Sequence, residues 1–300
     1  MKTGFIGIGV MGRPIAKNLL KAGFELTVYD VDEEAVHHLT SIGAREADSP
    51  RHVAEASEAI LTCLPSSEAL EEAVLGRRGV LEGAMTGSTI IDLGTTDPGT
   101  IRKIAGYAEE KGVEVLDAPV SGGPEGAEAG TLTVMVGGKR EVYDRCAEIL
   151  GSVGKNVYYL GGLGCGATAK IVNNLMSMCN TAAMVEGFAL GVKAGVDAKT
   201  LYEVVKKSTG YSLNLDRRWA RRIARGDYDW GFRIDLVRKD LGLALKMGRE
   251  MGIPLFMTET ADQVFALGQA KGLGEKDASA IALFFEELLG IDLGETTGNA

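Results

Sequence analysis

Lys170 and Asn174 stand four residues apart in a proline-free stretch, GCGATAKIVNNLMSMCNTAAMVEGFALGVKAG, that runs from Gly164 to Gly195. In a helix, residues at that spacing share a face, so an amine and an amide would project together. A lysine so placed can carry a proton, and an amide can hold an oxygen. Taken alone, Lys170 reads more readily as a surface lysine on a long helix. Its company makes it a candidate. Gly7-Ile8-Gly9-Val10-Met11-Gly12 carries glycines at the positions that suit, in order, a tight turn, close approach of backbone to a pyrophosphate, and close helix packing. Asp30 follows Gly12 by 18 residues, where an acid accepts hydrogen bonds from a ribose diol. Ser121-Gly122-Gly123-Pro124 sets a serine beside two glycines, which leaves backbone N–H groups able to grip a carboxylate, although a plain glycine turn has the same letters.

These residues need elements to position them. Thr3 to Gly7 reads as a buried strand running into the glycine turn, Pro14 to Ala22 as the helix it opens, and Glu25 to Tyr29 as a second strand ending at Asp30. Strand, turn, helix, strand and acid in register predict a dinucleotide site. Val31 follows Asp30 with no arginine beside it, which would repel a 2′-phosphate and favours NAD; Arg45 and Arg51 keep NADP possible. Further strands are expected at Ala59–Leu64, Thr89–Leu93, Val113–Asp117, Leu132–Val136 and Asn156–Leu160, alternating with helical segments. Such alternation predicts an α/β domain with a parallel sheet covered on both faces. Ligands bind past the carboxyl ends of such strands, where Leu64-Pro65-Ser66, Gly94-Thr95-Thr96 and the Ser121 loop fall.

Past Gly161–Gly166 the strand pattern stops. The long helix carries an apolar stripe, Ile171, Leu175, Met178, Ala182, Val185 and Ala189, and a polar one, Lys170, Asn174, Ser177 and Thr181. Thr200–Ser208, Asn214–Arg225, Arg238–Glu250, Pro254–Gly268 and Ala278–Leu289 read as further helices. The expected division is a dinucleotide-binding domain over 1–163, an all-α domain over 164–294 begun by the long interdomain helix, and a tail over 295–300. Arg217, Arg218, Arg221, Arg222 and Arg225 are expected to form one basic helix face, solvated or at an oligomer contact.

A formal charge of −9 and a pI near 5.1, with no Lys/Arg block, argue against nucleic acid and anionic membrane surfaces and leave a small molecule as the expected partner. Cys63, Cys146, Cys165 and Cys179 are scattered without a CxxC, which predicts free thiols in a reducing compartment and no metal site. The apolar Phe5–Met11 segment lacks the leader and length of a signal peptide, so a cytoplasmic location is expected. All three histidines, His37, His38 and His52, lie near the start of the chain. The usual proton carrier is therefore missing from the second half.

Gly4 to Gly12, Asp117-Ala118-Pro119-Val120-Ser121-Gly122-Gly123, Gly166 to Lys170 with Asn173-Asn174, and Lys239-Asp240-Leu241 together resemble, in order, the signatures of the β-hydroxyacid dehydrogenases, the group of 3-hydroxyisobutyrate dehydrogenase and tartronate semialdehyde reductase, related to 6-phosphogluconate dehydrogenase. The resemblance implies a Rossmann-like doubly wound domain followed by a helical one, a homodimer or homotetramer, and hydride exchange between NAD(P) and a 3-hydroxy acid/3-oxo acid pair. It implies Lys170 as the acid/base residue, with Ser121, Gly122, Gly123, Asn174, Phe232 and Asp240 on the substrate. It implies Leu64, Pro65, Thr95 and Lys239 on the cofactor, alongside the Gly7, Gly9, Val10, Met11, Gly12 and Asp30 set. Oxidising a carbinol requires a group that takes the hydroxyl proton; Lys170 can serve if desolvation at a domain cleft, or a cation such as Lys239, lowers its pKa from about 10.4. Glyoxylate or succinic semialdehyde reduction is the alternative on the same scaffold. A dinucleotide-sensing module without chemistry is the alternative outside enzymes.

Overall fold

A computed structural model describes residues 1–229 and 231–294; the expected tail at 295–300 lies outside the described residues. The chain divides into two compact units, Met1–Lys170 and the remainder from Ile171. The division falls inside the long helix, seven residues beyond the 163/164 boundary expected from sequence, so Lys170 closes the first unit.

The first unit is built on nine strands: β1 Thr3–Ile6, β2 Leu26–Tyr29, β3 Arg45–Glu46, β4 Ala59–Thr62, β5 Thr89–Asp92, β6 Glu114–Asp117, β7 Val120–Ser121, β8 Thr133–Gly137 and β9 Asn156–Gly161. Their order is β3-β2-β1-β4-β5-β6-β8-β7, with β9 paired to β8. The run from β3 to β6 is parallel and has the 3-2-1-4-5-6 order of doubly wound dinucleotide folds. Beyond β6 the sheet departs from the all-parallel expectation. β8 runs antiparallel to β6 and β7, while β9 is parallel to β8. The physical reason is the short Val120–Ser121 strand and the turn after it, which send the chain back before β8.

Neighbouring residues along the central strands go to opposite cores. Phe5, Leu61, Ile91 and Leu116 face one, packed with Ile15, Leu19 and Val36; Ile6, Ile60, Ile90 and Val115 face the other, packed with Val53, Leu70 and Ile104. Each fully buried aliphatic side chain contributes about 1.5–3 kcal/mol, and burial on both faces explains why these strands read as unbroken apolar runs. Helix starts fix the loops above the sheet. Ser66 caps Ser67–Leu75 after β4, and Asp97 caps Pro98–Glu110 after β5.

The long helix spans Cys165–Lys193. In the second unit Met178, Ala182, Val185 and Ala189 from it pack with Trp219, Ile234, Val237, Phe265 and Ile281. Helices at Ala198–Lys206, Ile234–Met251, Phe256–Ala270 and Ile281–Leu289 complete the core. The expected single helix over Asn214–Arg225 is instead a π-helical turn, Leu215–Ala220, followed by a 3₁₀ turn, Ile223–Arg225. The expected basic face therefore does not form. Arg218 turns inward onto Asp277, Arg222 pairs with Asp227, and Arg217, Arg221 and Arg225 stay exposed.

Candidate active site

The three glycines of the loop differ in their surroundings. Gly7 sits at φ +90°, and a Cβ there would come 2.5 Å from the Cys63 carbonyl oxygen and 2.9 Å from Leu64 Cδ2, so the loops after β1 and β4 touch at this point. That is where the strand order reverses, the place where open α/β sheets bind ligands. Gly12 opens the helix Gly12–Lys21, and a Cβ on it would overlap the Gly7 carbonyl. Gly9 differs: a Cβ there meets nothing within 4 Å. The space beside it is open, so backbone there is accessible to a ligand. Val10 is 69% exposed beside it and Met11 is half-buried. Asp30 holds this loop as well as marking it, since Oδ2 accepts the Ile8 N–H at 2.6 Å and Oδ1 accepts the Asp32 N–H at 2.9 Å. A carboxylate has about four acceptor positions, so it retains capacity for a diol. Arg45 pairs with Glu25 and Arg51 with Glu55.

Leu64 is half-buried against Gly7, Pro65 is exposed, and Thr95 is half-buried in the loop after β5. Beneath them lies Asp92, 2% exposed, which accepts the Thr62 hydroxyl at 2.8 Å and the Thr96 hydroxyl at 2.7 Å. Burial pushes the Cys63 thiol up to about 12, with the Asp92 charge adding to the rise and the Lys170 charge opposing it. Lys170 is half-buried.

Ser121 ends β7, and Gly122 and Gly123 follow at φ +143° and +72°, two successive conformations open to glycine and strained for other residues. No heavy atom lies within 4 Å of a Cβ on Gly123. Four residues upstream, the buried Asp117 carboxylate accepts the Gly164 N–H at 2.8 Å and the Ala167 N–H at 2.7 Å, holding the first turn of the long helix that bears Lys170.

In the second unit Asn174 is 7% exposed and both ends of its amide are engaged. Nδ2 donates to Asp240 Oδ2 at 2.5 Å, and Oδ1 accepts from Asn173 Nδ2 at 3.0 Å. Lys239 Nζ stands 3.1 Å from Asp240 Oδ1. Asn174, Asp240 and Lys239 thus form one polar group, extended along the helix by Ser177 and the buried Asn214. The Phe232 N–H donates to Asp277 Oδ2 at 2.8 Å, which fixes the backbone under its half-buried ring. Among the described residues no group of three or more His, Cys, Asp or Glu side chains could hold a metal ion.

Residues 2–161 match the NAD-binding domain of 6-phosphogluconate dehydrogenase, and residues 164–285 match the NAD-binding domain of NADP-dependent 3-hydroxyisobutyrate dehydrogenase. The chain is 42% identical over 293 residues to 2-(hydroxymethyl)glutarate dehydrogenase of Eubacterium barkeri, covering 98% of this chain and 97% of that one. The chain belongs to the β-hydroxyacid dehydrogenases. It is also 38% identical to the mitochondrial 3-hydroxyisobutyrate dehydrogenase of Bos taurus, over 95% of this chain and 87% of that one. Among solved structures, the 3-hydroxyisobutyrate dehydrogenase of Mycobacterium tuberculosis with L-serine superposes at a TM-score of 0.87 and 29% identity, covering 94% and 98% of the two chains. The protein is thus an NAD(P)-dependent hydroxyacid dehydrogenase of the 3-hydroxyisobutyrate dehydrogenase type.

Three residues that organise the dehydrogenase's two units escaped sequence reading: Asp92, Asp117 and Asp277. Each acts through partners distant in the chain, and only Asp117 lay in a motif, where Ser121 drew the chemistry. The two helix-side glycines of the nucleotide loop give a paired test. Gly12→Ala is expected to cost about 1–3 kcal/mol through overpacking, read as a lowered urea midpoint. Gly9→Ala is expected to leave that midpoint in place and to weaken NAD binding about tenfold or more, read by quenching or enhancement of reduced-nicotinamide fluorescence. Unchanged affinity in Gly9→Ala would remove the pyrophosphate from that loop.

Proposed function

We propose that this dehydrogenase interconverts a 3-hydroxy acid and its 3-oxo acid, with Lys170 as the acid/base residue and NAD preferred over NADP. The single observation that carries the reading is that Asp117, four residues before Ser121, accepts the Gly164 and Ala167 N–H groups at the start of the helix that bears Lys170. The amine therefore belongs to the same compact unit as the nucleotide loop and the Ser121–Gly123 turn.

When bound, the nicotinamide supplies the hydride acceptor at C4. The chain's own residues do the rest. Gly9 to Gly12 receive the pyrophosphate and Asp30 the ribose diol. Leu64, Pro65 and Thr95 border the cofactor. Ser121, Gly122 and Gly123 hold the substrate carboxylate. Neutral Lys170 accepts the hydroxyl proton as the carbinol C–H bond breaks and the carbonyl forms, and its ammonium returns that proton in reduction. The family resemblance assigns Asn174 to the C3 oxygen and adds Phe232, Lys239 and Asp240.

The substrate class is supported by the relatives' names. 2-(Hydroxymethyl)glutarate and 3-hydroxyisobutyrate both carry a hydroxymethyl group one carbon from a carboxylate, as does the L-serine named with the mycobacterial structure. We expect nicotinamide reduction with these three compounds and with other 3-hydroxy acids, and at least tenfold lower kcat/KM with 4-hydroxybutyrate, in which the carbinol is one carbon too far for the same carboxylate grip. A preference for 4-hydroxybutyrate or glycolate would move the assignment to succinic semialdehyde or glyoxylate reduction. On the cofactor, kcat/KM is expected to be at least tenfold higher with NAD, because Asp30 meets a 2′-phosphate with like charge and Arg45 and Arg51 are engaged by glutamates. A preference for NADP in that comparison would overturn the Asp30 argument.

A further inference from the structure

We propose that Asp117 is the positioning residue for Lys170, tying the first turn of the long helix to the C-terminal end of β6 and so setting where the amine stands. This rests on the assignment of Lys170 as the acid/base residue.

The cap is unusual in its origin. A helix start is ordinarily closed by the residue at its own N-cap, whereas here the acceptors come from 47 and 50 residues earlier in the chain. The two carboxylate oxygens divide between Gly164 and Ala167, one turn apart. Lys170 follows Ala167 by three residues, about 4.5 Å along the axis and on the same side of the helix. Fixing the Ala167 N–H therefore fixes the base of the Lys170 side chain.

The surroundings are shaped to hold this contact. Asp117 pairs with Gly137 across the sheet. A Cβ on Gly137 would come 2.6 Å from Asp117 Oδ1 and 2.8 Å from the Gly166 nitrogen. A Cβ on Gly166 would overlap the Met135 carbonyl and come 2.5 Å from that of Asp117. Two glycines thus let the helix start sit directly on the strand end. The same strand end leads through Ala118 and Pro119 to Ser121, so one side chain registers the proton carrier against the carboxylate loop.

Stability alone would not select this residue. Burial pushes the Asp117 carboxyl up, with the Asp92 charge adding to the rise, although the N–H groups of Gly164 and Ala167 favour the anion. A buried anion is a costly cap where serine or asparagine would serve. Its return is a charge-assisted hydrogen bond at each oxygen, shorter and stiffer than a neutral one.

The test is a double-mutant cycle on the holoenzyme, with Asp117→Asn, Lys170→Ala and the double variant. Asp117→Asn keeps the shape, loses one acceptor and turns an N–H donor towards another. We expect kcat to fall about 10- to 100-fold, as a small misplacement of a reacting group does, while the Kd for NAD changes less than about threefold. In the Lys170→Ala background the same substitution is expected to add no further loss. Asp117→Ser, read the same way, replaces Asp117→Asn if that variant does not fold. Full kcat in the Asp117 variant, or an equal loss in both backgrounds, would overturn the positioning role and leave Lys170 as acid/base intact. Full kcat in Lys170→Ala would overturn both.

Discussion

Lys170→Ala is expected to lower kcat by about 10²–10⁴ while the Kd for NAD stays close to that of the parent enzyme. The split follows from where Lys170 sits. It belongs to the unit that carries the glycine loop, yet the residues proposed to receive the nucleotide, Gly9 to Gly12 and Asp30, are held by contacts that do not involve the lysine. In the proposed mechanism, removing the amine leaves the C3 hydroxyl without a proton acceptor as the hydride departs. No histidine stands in for it, because His37, His38 and His52 are all on or near the helices beside β2 and β3. Steady-state formation of reduced nicotinamide from a 3-hydroxy acid measures kcat, and nucleotide fluorescence titration measures binding. An undiminished kcat would pass the proton to Asp240 or to water.

The second large effect is structural. Asp277→Asn is expected to destabilise the protein by about 3–5 kcal/mol, the usual result of leaving one buried charge without its partner. The Asp277 side chain is fully buried, and among the described residues its carboxylate receives four donors. Oδ1 accepts the Ser279 N–H at 3.0 Å and the Ser279 hydroxyl at 2.6 Å. Oδ2 accepts the Phe232 N–H at 2.8 Å and the Arg218 guanidinium. Gly231, at φ +142°, lets the chain pass close, since a Cβ there would overlap the carboxylate. An asparagine replaces one acceptor oxygen by a donor and leaves Arg218 uncompensated. Burial alone would raise the Asp277 carboxyl, but the Arg218 charge and the Ser279 hydrogen bonds outweigh it and hold it below the ordinary carboxylate value. A depressed carboxyl contributes stability that is present above its unfolded-state value, about 3.9, and is lost as pH falls through the folded value. The gap in urea midpoint between parent and variant is thus expected at neutral pH and should narrow below about pH 4. A gap of equal size at pH 3 and pH 7 would show that the ion pair is not its source.

What the sequence made legible was local. Gly7, Gly9 and Gly12 declare a turn by their spacing, with Gly7 at φ +90° and Gly12 against the Gly7 carbonyl. β1, β2, β4, β5 and β6 could be read because burial makes them short apolar runs. β3 and β7, two residues each, offer no period to detect, and the antiparallel return to β8 depends on that unseen strand. Asp30 was found by its distance from Gly12, but its grip on the Ile8 N–H was not, since the pairing follows from how β1 and β2 lie side by side. The buried aspartates were missed for a related reason. A carboxylate that caps a helix 47 residues later leaves no pattern in either segment. The arginines between Arg217 and Arg225 misled because their spacing suits an α-helix, whereas the π and 3₁₀ turns there send Arg218 onto Asp277 and Arg222 onto Asp227 and leave Arg217, Arg221 and Arg225 exposed.

The chemistry itself is tested most directly by following the hydrogen. The enzyme is incubated with NAD and a 3-hydroxy acid deuterated at the carbinol carbon, and the nucleotide is examined by mass spectrometry and proton resonance. Direct hydride transfer predicts one deuterium at C4 of the nicotinamide for each molecule of 3-oxo acid formed. Reduced nucleotide without deuterium, or 3-oxo acid formed without reduction of the nucleotide, would contradict the account.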